Sequence, residues 1–479
     1  LYNELFYEMI PDTEKIYIPL KNSFSESGVE DVAYLKGLGL NIIQGSSSYS
    51  LIYDTKANIN SKANEIREYI IPGYELPILE RETLKATRVE TPNSAYQVVT
   101  NNETYKGYGI YLGMVSESGV DYRATALRNS DGTTRIAGLW VQKEGDEGKF
   151  YTKDDINRAL QSESPEEVVP IGSYSEENTM LLTIAGGKTE DYEGIASEAE
   201  FLFAQVNPAS TNLQMIYGGM PNEKNITMGD LIVGIWKMQD YAKAQKKPVV
   251  FYVPQYTNVD SHDGEGTYHN LITEVCIKGG NAIVTSTGQE ANKEHHQALY
   301  SGTKQNPIVN FRAREDGNNV IGLLTQVYLR NWQIELMGPN GNKVEISKPG
   351  IYKLDSATIY SQGNQLNYPS GTREVMFRIS NMNKGIWQLQ VKFENNSPNR
   401  VDLWISGEES NPYVTLEPST PDVTIGSIGN IRETACIAGY SLSDMITLAS
   451  SGRGYTADGR VKPSFAAEGI LQTMNSQGQ

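Results

Sequence analysis

Cysteine is almost missing from this chain: its 479 residues hold two, Cys276 and Cys436. They lie far apart and belong to no CxxC pair or zinc spacing. That excludes a disulfide framework and a structural zinc module, and leaves two buried thiols as the expectation. Histidine is nearly as scarce, confined to His262, His269, His295 and His296. No apolar run approaches the roughly 18–20 residues that a membrane-spanning helix needs, so no membrane span is expected. Leu1–Pro11 carries Glu4 and Glu8 but no basic cluster, unlike a secretory leader. Positive charge is in deficit: 41 Lys and Arg face 58 Asp and Glu, a net charge of −17. This argues against nucleic acid and anionic membrane surfaces as partners. Internal repeats, low-complexity tracts and cofactor motifs are absent as well.

What is present changes character along the chain. Residues 1–80 read as a small α+β unit, with a helix over Val29–Gly37, a strand over Tyr49–Tyr53 and a second helical stretch over Ser61–Tyr69 ended by Pro72-Gly73. Residues 81–104 are polar and read as a linker. From 105 to 304 short apolar runs alternate with helical pattern: Ile110–Val115, Phe201–Val206, Val249–Val253 and Ala282–Thr285. Met228–Gln245 spaces Leu231, Ile232, Ile235, Met238 and Ala242 along one helix face, with Thr227 and Asp230 as its cap. Fully apolar strands between helices predict an α/β domain built on a parallel sheet. Between 305 and 420 the period becomes two: Trp332, Ile334, Leu336; Val375, Phe377, Ile379; Trp387, Leu389, Val391, Phe393. Asn340-Gly341 marks a tight turn. This block predicts an inserted antiparallel β jelly-roll, with 421–479 continuing the first domain.

Several segments carry chemistry-bearing patterns. Ser116-Glu117-Ser118-Gly119-Val120-Asp121 follows the first apolar strand. Glu177-Asn178-Thr179 opens a helical run that ends at Gly186-Gly187, followed by Tyr192-Glu193-Gly194-Ile195-Ala196. Lys247–Pro254 leads into Ser261-His262-Asp263-Gly264. Thr287-Gly288-Gln289-Glu290-Ala291-Asn292 comes next. Ser451-Gly452-Arg453-Gly454-Tyr455-Thr456-Ala457-Asp458-Gly459 closes the series and runs on to Lys462-Pro463 and Gly469.

In this order the segments resemble the subtilisin-like serine proteases. They match, in turn, the D-[ST]-G-I-D strand of the catalytic Asp, the H-G-T helix of the general base, the strand before the substrate cleft, the oxyanion A-G-N-E-G-N, and the S-x-R-G-x-T-x-D-G stretch before the nucleophile. The Ser-His-Asp-Gly loop and the β insertion resemble more narrowly the Csp germination subtilases of spore-forming bacteria. The resemblance implies a prodomain ending near Leu79-Glu80 that stays bound, and a subtilisin-like sheet carrying an inserted jelly-roll. The chemistry departs from the pattern. Glu117 (or Ser116, counting from the upstream strand) stands at the Asp position, Glu177 at the His position and Gln289 at the oxyanion Asn. The nucleophile segment would fall beyond Gln479.

A serine hydroxyl needs a neutral imidazole that takes its proton and returns it to the leaving amine. A glutamate is a poor substitute, and losing one oxyanion donor costs about a hundred- to a thousand-fold. The resemblance therefore implies a pseudoprotease, CspA-like or CspC-like, that acts in germination signalling within the bacterial spore (cortex or coat). Its implied partners are sister Csp proteins, its own prodomain and small-molecule germinants. Two alternatives come from other classes: an active peptidase in which Glu117 and Glu177 share one proton, and a binding module that uses the jelly-roll. Ser261, His262 and Asp263 are adjacent on one loop and cannot converge as a triad. His295-His296 is expected as a surface or core-edge pair rather than a metal site. Asp316-Gly317-Asn318-Asn319 could ligate calcium, though a plain turn is the simpler expectation.

Overall fold

The computed structural model describes residues 5–71, 78–81, 98–100, 103–145, 147–170, 172–190, 192–217, 224–301, 306–326, 332–366, 371–393, 400–406, 413–441 and 444–469. The expected stop at Pro72-Gly73, most of the expected linker (82–97) and the stretch leading to the nucleophile position (470–479) lie outside them.

Short apolar runs build the central sheet. Its main strands are β1 (Tyr111–Ser116), β2 (Ile136–Glu144), β3 (Glu200–Gln205), β4 (Val249–Val253), β5 (Asn281–Ser286), β6 (Ala435–Ser441) and β7 (Phe465–Glu468). They run parallel in the order β2-β3-β1-β4-β5-β6-β7. Glu147–Thr152 and Ile446–Thr447 add antiparallel edges at either end. The direction of travel reverses at β1: the chain first builds β2 and β3 on one side, then β4 to β7 on the other. The carboxyl end of such a strand is where open α/β sheets leave a crevice.

Helix α1 spans Glu176–Gly186, α2 Met228–Ala244 and α3 Thr267–Ile277. The α2 start follows its cap signal: the Thr227 hydroxyl accepts from the Asp230 amide at 3.0 Å. The expectation of one wet face fails over its first half. Met228 to Trp236 are all buried. One side approaches the sheet at Gly234, where an added Cβ would stand 2.9 Å from Val115. The opposite side meets the N-terminal unit at Gly229, where a Cβ would collide with the Tyr17 ring.

That unit is a three-stranded antiparallel sheet in which Tyr49–Thr55 lies between Lys15–Lys21 and Ile42–Gln44. The Val29–Gly37 helix forms as expected. The second helical stretch begins earlier than expected, at Lys56, because Thr55 caps it through the Asn58 amide. It breaks at Lys62, before a short turn of helix over Ala63–Ile66. Inside the expected linker, Val98–Thr100 pairs with Glu103–Tyr105.

The expected period-two block forms two antiparallel sheets. One is seven-stranded, with Asn318–Gln326 and Arg373–Met382 at its centre; the other is five-stranded and centred on Trp332–Met337 and Gly385–Phe393. Their inner faces share one core that includes Phe311, Val375, Phe377, Trp387 and Leu389. Phe311 and Phe377 meet edge to face at 6.2 Å. On the outer face of the larger sheet, Ile321, Leu323 and Met376 join the core of the N-terminal unit. The Trp387 stripe is therefore interior and does not form a row of exposed aromatic platforms. Gly341 takes a left-handed φ of 83° at the expected turn.

Candidate functional site

Ser116, Glu117 and Glu177 lie on segments that meet at the carboxyl end of β1. Ser116 closes the strand and is fully buried. Glu117 follows it half-buried and folds back on its neighbours: Ser116 Oγ donates to Glu117 Oε2 at 2.9 Å and Ser118 Oγ to Oε1 at 3.0 Å. Glu177 is the second residue of α1, whose start is set by Ser175 accepting from the Asn178 amide.

Hydrogen bonds zip the β1 loop to this helix start. Gly119 N donates to Ser173 O at 2.9 Å, and Ser175 N donates to Gly119 O at 3.0 Å. Buried Asn178 donates its side-chain amide to Ser118 O at 2.8 Å and to Gly119 O at 3.2 Å. The Asp121 amide donates to Thr179 Oγ1 at 3.0 Å. The structure therefore brings the Glu117 and Glu177 segments together. Asn178, where the resemblance has glycine, was visible in the sequence only as a departure; its part in the joint was not.

Gln289 lies half-buried in the loop after β5. That loop is tied down by Gly426 N donating to Thr287 O at 3.0 Å and Gly452 N to Gly288 O at 3.2 Å. The next residue, Glu290, is buried and went unnoticed in the sequence. It pairs with His295 Nδ1 at 2.8 Å and accepts from the Tyr256 hydroxyl at 3.2 Å. An acid five residues before a histidine was the only signal.

A strand from earlier in the chain pairs close to the end of β1. Ile78–Arg81 is the middle strand of an antiparallel sheet, between Ile226–Thr227 and Gln255–Tyr256. Gln255 Nε2 also donates to Val115 O near the end of β1. Leu79 is fully buried in the core shared with α2 and α3. At the other end of the N-terminal unit, the Tyr17 hydroxyl donates to Asp230 Oδ1 at 2.7 Å, joined by Gln142 Nε2 at 2.9 Å. Burial pushes the Asp230 carboxyl above the usual range despite these donors.

The histidines are engaged elsewhere. His262 Nε2 contacts Asn258 O at 2.9 Å, and burial lowers its pKa. Ser261 donates to Asp263 Oδ1 at 2.6 Å, so the adjacent trio forms a local turn rather than a relay. Burial, with Asp260 nearby, raises Asp263 to about 6. His269 lies 3.9 Å from Asp260. The expectation of a surface or core-edge His295-His296 pair is corrected: both are buried, because each meets a carboxylate, Glu290 and Asp402 respectively.

The Asp316–Asn319 segment forms a turn. Gly317 N donates to Met382 O at 2.8 Å, and Asp316 accepts from the Lys384 amide at 2.7 Å. Among the described residues no three His, Cys, Asp or Glu side chains group as a metal site, and no helix is long and apolar enough to cross a membrane. Neither cysteine is in a disulfide among the described residues; Cys436 is buried, while Cys276 is only partly so, with its pKa raised by burial to about 11.

No protein-family model matches the chain, and no curated protein matches it. Among solved structures it is similar to the Clostridium perfringens CspB protease, with a TM-score of 0.67 and 21% sequence identity over 76% of this chain and 75% of that one. At this identity the likeness is one of fold: the chain has the fold of that subtilisin-like protease.

Proposed function

We propose that this protein is a catalytically inactive member of the Csp-type subtilases and works by binding partners in bacterial spore germination. The observation that carries the proposal is the pair of glutamates, Glu117 after β1 and Glu177 at the start of α1, where the resemblance has aspartate and histidine. The hydrogen bonding around them supports it. Glu117 is bonded by its own flanking serines, and Asn178 closes the loop against the helix. No imidazole is offered at the position of the general base, and Gln289 takes the oxyanion position. The pairing of Ile78–Arg81 between two strands supports the same reading, since its backbone takes the edges that an extended peptide would use.

In this proposal residues 1–80 act as a retained prodomain, 81–104 as its tether and 305–420 as an inserted jelly-roll within a subtilase-like domain formed by 105–304 and 421–479. The partners would be sister Csp proteins, the setting the spore cortex or coat, and the type CspA-like or CspC-like. Small-molecule germinants are candidate signals. The test has two arms. The full-length protein is exposed to a fluorophosphonate probe and to peptide substrates; no labelling and no turnover are expected, and stoichiometric labelling sinks the claim of inactivity. The same chain, used as bait in spore extract, is expected to retain other Csp proteins. If a known active Csp protease added in purified form fails to bind, the signalling claim falls while the first claim stands.

A further inference from the structure

The seven-stranded antiparallel sheet has two edges, and they are built differently. One is Gly350–Leu354, which is preceded by Lys348-Pro349 and carries exposed Lys353. Lysine and proline are guards that keep an edge strand from pairing with another chain. The other edge is His296–Tyr300, which has no lysine, no proline, no acidic residue and no register shift. Its pairing leaves one side of the backbone open. His296 lies opposite Trp404, and Ile405 N donates to His295 O at 3.0 Å. Antiparallel bonds alternate, so Gln297 and Leu299 exchange bonds with Leu403 and Val401. The N–H and C=O groups of Ala298 and Tyr300 then point away from Arg400–Ile405, toward the open side. Two contacts agree with this alternation: His296 O accepts from Thr420 N at 2.8 Å, and Ala298 O accepts from Gln297 Nε2 at 2.7 Å.

A cleft of about 570 Å³ follows this edge, with Gln297, Ala298 and Tyr300 on one side and Tyr455, Thr456 and Ala457 on the other. The chain itself begins to pair here and then leaves. After Thr420 it turns aside, bridging Asp422 to Arg453, and the Ala298–Tyr300 end is left beside the cleft. Tyr300 and Tyr455 are 57% and 61% exposed and present aromatic faces. The lining charges, Arg400 and Asp422, balance, so backbone and rings rather than net charge define what fits. The two charges differ in engagement. Arg400 is bonded to Asp402 at 2.7 Å, whereas Asp422 stands exposed on the rim.

We propose that the His296–Tyr300 edge docks an extended segment of a partner protein, which joins the sheet as a further strand. The segment pairs with the backbone of Ala298 and Tyr300, and its amide takes the place of the Gln297 side chain at Ala298 O. It sets apolar or aromatic side chains against Tyr300 and Tyr455 and brings one lysine or arginine to Asp422. The proposal goes beyond the inactive-protease assignment and holds whether or not a triad works.

The test begins without a ligand. In the free chain, residue-resolved hydrogen exchange is expected to show the Ala298 and Tyr300 amides exchanging about tenfold faster or more than those of Gln297 and Leu299. Equal protection at all four overturns the open edge. The whole chain is then panned against phage-displayed linear peptides, and an enriched peptide is synthesised. Saturable binding is expected, with the Ala298 and Tyr300 amides slowed about tenfold or more in the complex. Tyr300→Pro removes an outward N–H without taking a bond from Arg400–Ile405, and is expected to weaken binding about tenfold or more. N-methylation of alternate peptide amides is expected to cause the same loss with the protein unaltered, which keeps the test valid if the proline variant misfolds. Asp422→Asn is expected to cost about two- to fivefold, and only for peptides with a basic residue. No enriched peptide, binding indifferent to N-methylation at every position, or binding that leaves the Ala298 and Tyr300 amides unprotected overturns the proposal. A dimer of the free chain that Tyr300→Pro dissolves does so too, because the occupant is then a second copy.

Discussion

Replacing Leu79 by alanine tests whether the strand Ile78–Arg81 opens on its own, without the central sheet. Leu79 is fully buried, in a core with Ile226, Val253 and the α2 residues Leu231 and Ile235. Truncating such a leucine costs about 2–5 kcal/mol, the spread reflecting how far the site can collapse. Ile78–Arg81 is a short strand held on both sides by two-residue partners, Ile226–Thr227 and Gln255–Tyr256, so its opening need not unfold the central sheet. If it opens locally, even 2 kcal/mol raises the open population about thirty-fold. Hydrogen exchange followed by mass spectrometry reads this directly. Peptides covering 226–227 and 255–256 are expected to exchange about thirty-fold faster or more in Leu79→Ala, while those covering β1 and β4 keep their protection. Should global stability fall by the full amount with the partner strands as protected as before, the segment and the body unfold as one unit and the idea of a separately opening strap is wrong.

Three further outcomes are expected. Tyr17→Phe removes one donor from buried Asp230 and should cost about 1–3 kcal/mol in urea denaturation; an unchanged midpoint would show that Gln142 and Thr227 suffice. Asp263, raised from 3.8 to about 6 by burial and then by Asp260, binds its proton more tightly when folded. Its contribution is therefore complete below pH 3.8 and is lost as pH rises through 6. The separation corresponds to roughly 3 kcal/mol, so wild type should lose about that much stability relative to Asp263→Asn between pH 4 and pH 7, and parallel pH profiles would refute the assignment. Asn178→Gly deletes the bonds to Ser118 O and Gly119 O and should destabilise by about 1–3 kcal/mol, with faster hydrogen exchange confined to the 116–121 loop and the start of α1. Exchange unaltered there would mean that the backbone bridge alone holds the joint.

The parts legible in the sequence are those set by local pattern. Val249–Val253 has no polar residue and is a strand to the residue, paired on both edges. The α2 cap was readable because Thr227 and Asp230 act within one turn, and the alternation in Trp332–Met337 and Gly385–Phe393 gave the wet and dry faces of the five-stranded sheet. Long-range pairing was not legible. The α2 face expected to meet water is covered by a sheet more than 170 residues earlier in the chain, through Tyr17 and Gly45, whose glycine lets Trp236 close in. Nothing in Ile78–Arg81 announces that its partners are residues 226–227 and 255–256. The His295-His296 pair looked like an edge feature because its acids, Glu290 and Asp402, are ordinary residues in sequence and become partners only when the strands assemble. The Glu117 and Glu177 positions were found through flanking glycines and small residues, which the scaffold needs whatever chemistry sits between them.

That separation of scaffold from chemistry bears on what the site has become. A working triad keeps each group able to gain or lose a proton during the reaction, so its members must not be consumed by structural bonds. Here two of the residues that differ from the resemblance, Glu117 and Asn178, make such bonds. Glu117 takes up the hydroxyls of Ser116 and Ser118, and Asn178 uses both of its amide bonds on the carbonyls of Ser118 and Gly119. Glycine at 178 would leave the Ser118 carbonyl to water or to a substrate, while Gly119 O would keep its bond from the Ser175 amide; asparagine closes both. The carboxyl end of β1, where an open sheet offers its crevice, is thereby turned into a fastening between strand and helix, with Ile78–Arg81 laid alongside. Such a joint transmits displacement well, because bonded groups cannot move independently, and it performs proton transfer poorly for the same reason. Under the proposed function the fold serves what docks on it and moves it, and the element placed to respond first is the strand carrying Leu79.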